Sequence, residues 1–265
     1  MSPRNEAHLV EEESYFVSMT DLMVGVLFLF IIMLMAVALN LKHQQRTYEE
    51  TNSKLTQADQ SRREMLRDIK KSLDAEGVEV SIDEDTGVLR LPESLLFDRG
   101  RFELQAAGQV ALGHLSRVLD KILPCYALVP GAITDDCKTK GGRLEAVFIE
   151  GHTDDVRMMR SVALGVSDNW DLSTARAIET FQQLTKSAPR LADMQNDRKL
   201  KLLGVSGYAD NRPATNDRPT SPDQLEEWRT RNRRIDLRFL MATPDAEQLQ
   251  KLKDAVQRGV ENESK

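Results

Sequence analysis

The chain has 265 residues, 29% of them charged, and a formal net charge of −6. That length leaves room for one sizeable domain with appendages, and the acidic balance argues against binding nucleic acid through a broad basic face. No phosphate-cradling glycine loop is present.

Residues 1–20 read as a short tail, with Glu11, Glu12 and Glu13 set against Arg4. From Leu22 to Leu41 the sequence LMVGVLFLFIIMLMAVALNL has no charge and one polar residue, Asn40. About 20 such residues, rising 1.5 Å each, cover the hydrocarbon core of a bilayer, so 21–41 is expected to be a transmembrane helix. A cleaved signal peptide would need a basic start, a shorter apolar core and a small-residue cleavage site, and none of these fits. Lys42 and Arg46 follow the span, so counting cations does not by itself favour an inside N-terminus. The two cysteines point the other way. Cys125 and Cys137 would close a loop in the turn-like stretch PGAITDDCKTKGG. Such a pair suits an oxidising periplasm, where it could stabilise the fold by on the order of 3 kcal/mol; the alternative is two free thiols.

Asp21 opens the apolar run and has two readings. Thr20 or Asp21 could cap the helix by accepting from orphan backbone N–H groups. Alternatively the helix starts earlier, and Asp21 lies inside the bilayer. A charge there is costly to hold and can be used to carry an ion, each charge crossing the full potential releasing about 2.3 kcal/mol per 100 mV. A single helix cannot enclose a pathway, so that reading requires a polytopic partner.

Residues 42–77 lack proline and, until Gly77, glycine, and they have helix-forming composition; they are expected to form a helical linker. Leu41, Tyr48, Leu55 and Ile69 share one heptad register and Ala58 and Met65 a second, with Arg62 breaking the seam. That pattern fits either a parallel dimer or a solvated helix or flexible linker. A globular domain over 78–242 begins with the strands VEVSID and VLRLP, joined through Glu84-Asp85-Thr86-Gly87 as a hairpin. A helix is expected over 105–123, a strand over 144–150, a helix over 172–186, a strand over 200–206, a short helix over 223–230 and a strand over 233–240. Strands alternating with helices imply an α/β layer with helices packed on a mixed sheet. Residues 243–265 read as a polar tail with loose helical character.

Four stretches carry specific chemistry: Gly151-His152-Thr153-Asp154-Asp155 after a strand, Asn169-Trp170-Asp171-Leu172-Ser173-Thr174-Ala175-Arg176-Ala177 opening a helix, Gly207-Tyr208-Ala209-Asp210 after a strand, and Arg231-Asn232-Arg233-Arg234 before the last strand. In this order they resemble the OmpA-like peptidoglycan-binding domain, and the NWDLSTARA and GYADNRP wording is closer to flagellar MotB than to the porin branch. The resemblance implies recognition of diaminopimelate in the peptidoglycan stem peptide, with Asp154 meeting its ammonium and Arg176 its carboxylate. Thr153, Asn169, Leu172, Arg233 and Asp171 would shape the pocket. The stretch from Val156 to Asp168 is longer than in porin-type members, and Pro219 to Thr230 adds material. Rim contacts therefore do not carry over from the family.

Other readings of the same residues exist. His152 could be a core histidine, and Asp168 or Asn169 could cap the helix. A metal site from His152, Asp154 and Asp155 lacks convincing ligand spacing, because His8, His43 and His114 lie in other segments. An enzyme would need a nucleophile and base, for which Ser173 with His152 is the one nominal pair. No metal, cofactor or catalytic residue is expected.

Ser18-Met19-Thr20-Asp21-Leu22-Met23 ahead of the apolar run also resembles the membrane segment of MotB-type stators, in which an aspartate carries the ion. Among stators, ESYFVSMTDLMVG is most similar to ZorB, the MotB-like subunit of Zorya anti-phage defence systems. The resemblance implies an inner-membrane protein with a cytoplasmic N-terminus and a periplasmic C-terminal domain. It also implies two copies inside a ring of a MotA-like or ZorA-like partner, a peptidoglycan anchor and a translocated ion, expected to be H+. The acidic tail before the span departs from the basic start usual in flagellar MotB and favours defence over motility. A flagellar stator and a passive peptidoglycan anchor without ion flow are the alternatives.

Overall fold

The computed structural model describes residues 4–129, 143–158 and 165–243, with only the backbone for 4–18, 47, 50 and 51. Strand β5 (Arg234–Met241) shows how the sheet is built: Ile235, Leu237 and Phe239 alternate with Arg234, Asp236 and Arg238. Successive strand side chains point to opposite faces, so one face of β5 is apolar and the other charged. The same alternation holds in β2 (Val88–Pro92) through Leu89 and Leu91 against Arg90. In β3 (Leu144–His152) it sets Val147 and Ile149 against Phe148, Glu150 and His152.

With β1 (Ser81–Asp83) and β4 (Leu203–Gly207), these strands form a five-stranded sheet in the order β1-β2-β5-β3-β4. Only β3 and β4 pair in parallel, so the sheet is mixed. Its apolar face shares one core with the C-terminal end of α1 (Arg4–Ala75), α3 (Ala106–Ile122) and α4 (Asn169–Ser187), gathering Leu66, Ile69, Leu112, Leu115, Ala177, Leu89, Ile149 and Leu237. Short α2 (Glu93–Leu96) follows β2, and α5 (Pro222–Asn232) precedes β5. The expected α/β class and element order hold. Helix α2 is additional, and the helix expected over 172–186 begins three residues earlier, where Asp168 accepts from the N–H groups of Trp170 and Asp171.

The chain divides into two units, Met1–Ser53 and Lys54–Lys265. In the first, one helical stretch, Met19–Arg46, is long and apolar enough to cross a membrane, and none of its most apolar window is buried by protein. Helix α1 begins at Arg4, which places Asp21 roughly 25 Å along the axis at 1.5 Å per residue. Asp21 and Thr20 therefore do not cap this helix, contrary to the capping expectation.

The stretch 42–77, expected as a helical linker, is helical to Ala75 but is not a linker throughout. Residues 54–75 of α1 belong to the α/β unit, which thus starts before the expected boundary at 78. Met65, Leu66, Ile69 and Leu73 are fully buried in its core, and Ala58 is nearly so. Arg62 donates to the carbonyls of Glu84 and Asp85, and Arg67 forms a two-point ion pair with Glu84, latching the β1–β2 hairpin to the helix. An apolar stripe at helical spacing does not specify its partner. Here the partner of 58–73 is the core of the chain's own α/β unit, whereas Tyr48 and Leu55 remain exposed. Cys125 is disulfide-bonded. Cys137 and the polar tail from 244 lie outside the described residues.

Candidate binding cleft

Two glycines let α4 settle directly on the strand ends. A Cβ on Gly151 would lie 1.9 Å from the carbonyl oxygen of Ser173, and one on Gly207 would lie 2.1 Å from Oγ1 of Thr174. Ser173 Oγ donates to the Trp170 carbonyl and accepts from the N–H of Ala209, a residue held at φ 49°. This close seating brings the first turns of α4 beside the loop that leaves β3. Asn169 fastens that loop: its Nδ2 donates to the carbonyls of Asp154 and Val156, and its Oδ1 accepts from the N–H of Met158.

Between these elements lies a cavity of about 130 Å³ lined by Glu93, Arg99, Gly100, Thr153, Asp154, Val156, Arg157, Met158, Asn169, Leu172, Arg176 and Arg233. At roughly 30 Å³ per water it holds about four waters, or the charged head of an amino acid. The six residues expected from the motifs, Thr153, Asp154, Asn169, Leu172, Arg176 and Arg233, all line it. Asp171 does not, and its carboxylate instead accepts from the N–H of Ser167.

Four charges form the floor. Arg233 Nη1 donates to Asp154 Oδ2 at 2.6 Å, and Arg233 Nε lies 2.9 Å from Glu93 Oε2. Arg176 ion-pairs with Glu93 through Nη2, donates from Nε to the Arg101 carbonyl at 2.7 Å, and stacks its guanidinium over Phe97. Burial pulls the Arg176 guanidinium below its ordinary value, with Glu93 opposing. Burial also acts against the charge on Arg233, but Asp154 and Glu93 outweigh it and leave it raised. Among the described residues no acceptor meets Nη1 of Arg176, and Asp154 accepts only from Arg233 and the N–H of Val156. A carboxylate has about four lone-pair sites, so each member of the expected pair keeps capacity for a ligand.

Glu93, Arg99 and Arg157 were not anticipated. A single glutamate after Pro92, on a helix of four residues, carries no periodic signal. It is placed by the β2–β5 ladder, whose Pro92–Arg234 pairing is extended by a hydrogen bond from the Glu93 N–H to the Arg233 carbonyl.

The chain's added segment before β5 forms α5. Asp155 anchors it by accepting from Arg229 at 2.6 Å and Arg218 at 2.8 Å, while Trp228 Nε1 donates to the Thr215 carbonyl. Those two guanidiniums, Arg229 first, hold the Asp155 carboxyl below its ordinary range despite partial burial. Helix α5 in turn supplies Glu226 and Thr230 to Arg233.

No family model matches this chain, and no curated protein matches it. Its fold is similar to several solved structures. A putative MotB-like protein from Desulfovibrio vulgaris is 21% identical with a TM-score of 0.47, the match covering 69% of this chain and 96% of that one. The periplasmic domain of Helicobacter pylori MotB is 18% identical with a TM-score of 0.43, covering 63% and 84%. The cell wall anchor of the T6SS from Pseudomonas aeruginosa is 22% identical with a TM-score of 0.41, covering 67% and 96%. Likeness at this level carries no functional argument, which rests on the cleft.

His152 lies on the other face of the sheet. It is buried, stacks on Tyr208 at 5.4 Å between centroids, and has no hydrogen-bond partner on either ring nitrogen among the described residues. Burial first, then Arg234, pushes its pKa down to about 3, with Asp236 opposing. Glu150, His152 and Asp236 are close enough to hold a metal ion together. Arg90 and Arg234 already bind Asp236, however, and Arg238 binds Glu150. Three guanidiniums outweigh two carboxylates, so a divalent cation would enter a positive field. The arrangement suits neutralising Glu150 and Asp236, which the β3–β5 register sets directly opposite one another. Ser173 Oγ is committed to backbone partners, so the nominal Ser173–His152 pair is not formed.

Proposed function

We propose that this chain is a single-pass inner-membrane subunit whose α/β unit grips peptidoglycan by a diaminopimelate residue of the stem peptide. The observation that carries this reading is the cleft floor, where the carboxylate residue Asp154 and the guanidinium residue Arg176 line one cavity of about 130 Å³. An ammonium and a carboxylate on one tetrahedral carbon need such a pair of opposite charges, and charge-assisted bonds in a partly desolvated site are the stronger ones. Thr153 and Leu172 line the walls, while Asn169 and Arg233 act mainly by holding Asp154 in place. The disulfide at Cys125 supports an oxidising compartment for this unit and hence a cytoplasmic N-terminus.

The reading extends to an ion-driven motor. Asp21 lies within both helix α1 and the apolar span, the setting in which an intramembrane carboxylate serves as an ion carrier. A polytopic MotA-like or ZorA-like partner would supply the other wall of the pathway around two copies of this chain, with H+ as the ion. The resemblance to ZorB and the acidic N-terminal tail favour anti-phage defence. The test is phage plating efficiency in cells carrying the operon, comparing wild type with Asp21→Asn and Asp154→Asn after checking membrane levels. Loss of protection in both variants supports a wall-anchored, ion-driven defence subunit. Protection that survives Asp21→Asn reduces the protein to a passive anchor, and no protection from the wild type moves the reading to a flagellar stator.

A further inference from the structure

The cleft floor is electrically balanced, since Arg176 and Arg233 face Glu93 and Asp154. A zwitterionic amino-acid head, with one ammonium and one carboxylate, leaves that balance unchanged. The mouth is not balanced. Arg99 and Arg157 also line the cavity, and both are exposed. Among the described residues Arg99 pairs only with Glu226, at 3.7 Å, and Arg233 already shares that carboxylate. Arg157 has no ion-pair partner among the described residues. The lining thus carries four guanidiniums and two carboxylates, an excess of positive charge concentrated at the rim. Arg157 sits on the stretch after Asp155, outside the part of the chain whose contacts the family resemblance can supply.

We infer that Arg157 receives a second carboxylate of the ligand, so that the cleft prefers a stem peptide carrying a free acid next to the diaminopimelate over the same peptide amidated there. This rests on the reading of the floor as a diaminopimelate seat. The stem peptide has a suitable group, because its glutamate is linked through the side-chain carboxyl and leaves the α-carboxyl free, one residue from the diaminopimelate. Amidation removes that charge and leaves the zwitterionic head intact. Arg157 is at the solvent edge, so the expected gain is that of an exposed, well-placed ion pair, about fivefold in affinity, and it should diminish with added salt.

The experiment is calorimetric titration of the full-length protein in detergent with two synthetic tripeptides, L-Ala-γ-D-Glu-diaminopimelate and its counterpart amidated at the glutamate α-carboxyl. The wild type should bind the free acid about fivefold more tightly. Arg157→Gln should weaken the acid alone and bring the two affinities together. Equal affinities in the wild type overturn the inference, as does a preference that survives Arg157→Gln, including one that disappears only in Arg99→Gln. If neither peptide binds the wild type, the floor itself has been misread and both proposals fall.

Discussion

Asp154 Oδ2 accepts a 2.6 Å hydrogen bond from Arg233 Nη1, so the carboxylate assigned to the ligand's ammonium is already oriented by a guanidinium from the residue that joins α5 to β5. Arg233 is itself held by Glu93, Glu226 and Thr230. The cleft is therefore assembled from its own charges. A ligand would add to free lone pairs and N–H groups without first having to order them, which lowers the entropic cost of binding.

The same assembly makes Arg176 risky to remove. Glu93 and Arg176 are both buried, and deleting Arg176 leaves Arg233 as the one cation facing both Glu93 and Asp154 in the floor, a loss of up to about 3–5 kcal/mol. Urea unfolding of the unit Lys54–Lys265 should show that loss for Arg176→Met. The double variant Arg176→Met with Glu93→Gln should recover much of it, since no charge is then stranded. Additive losses in the double variant would show that the two residues do not act as a pair.

Gly151→Ala tests the seating of α4. The new methyl would overlap the Ser173 carbonyl, and helix and strand cannot both keep their places. Overpacking of this kind costs typically 1–3 kcal/mol, read as a lower urea midpoint at unchanged slope. Because α4 carries Arg176 and Asn169, peptide affinity should fall along with stability. A variant as stable as the wild type would contradict the close approach.

His152 predicts a pH dependence of folding. In the unfolded chain an imidazole takes up its proton near pH 6.5, but in the fold His152 resists protonation down to about pH 3. Between those values unfolding takes up a proton, so acid favours the unfolded state. The contribution is fully present above pH 6.5 and declines on acidification by up to about 1.4 kcal/mol per pH unit. The window from pH 6.5 to 5 isolates it, lying above the carboxylate range. His152→Phe, which keeps a ring against Tyr208, should flatten the stability curve of the unit Lys54–Lys265 there. An unchanged slope would show that His152 does not titrate differently in the two states.

The order of elements was legible because alternation in strands and 3.6-residue periodicity in helices report directly which faces are buried. The motif residues Thr153, Asp154, Asn169, Leu172, Arg176 and Arg233 were also legible, and they line one cavity. What the pattern could not give was the partner of each buried group. Ala58, Met65 and Ile69 fitted a parallel dimer as well as a solvated helix, and neither reading placed them in the chain's own core, where they are buried. Glu93 became part of the cleft only through the pairing of β2 with β5, a contact between residues far apart in sequence. The capping reading of Asp21 failed for a related reason: polar residues ahead of an apolar run do not mark where a helix begins when the helix continues through them.

The central claim is that the cleft holds the wall, and co-sedimentation of the full-length protein with purified peptidoglycan sacculi tests it most directly. Wild type should pellet with the sacculi, and so should Asp155→Asn, whose carboxylate serves Arg218 and Arg229 and does not line the cavity. Asp154→Asn, which removes the charge assigned to the ammonium, should remain in the supernatant with an unchanged circular dichroism spectrum. If Asp154→Asn pellets as fully as the wild type, the cleft is not the wall-binding site.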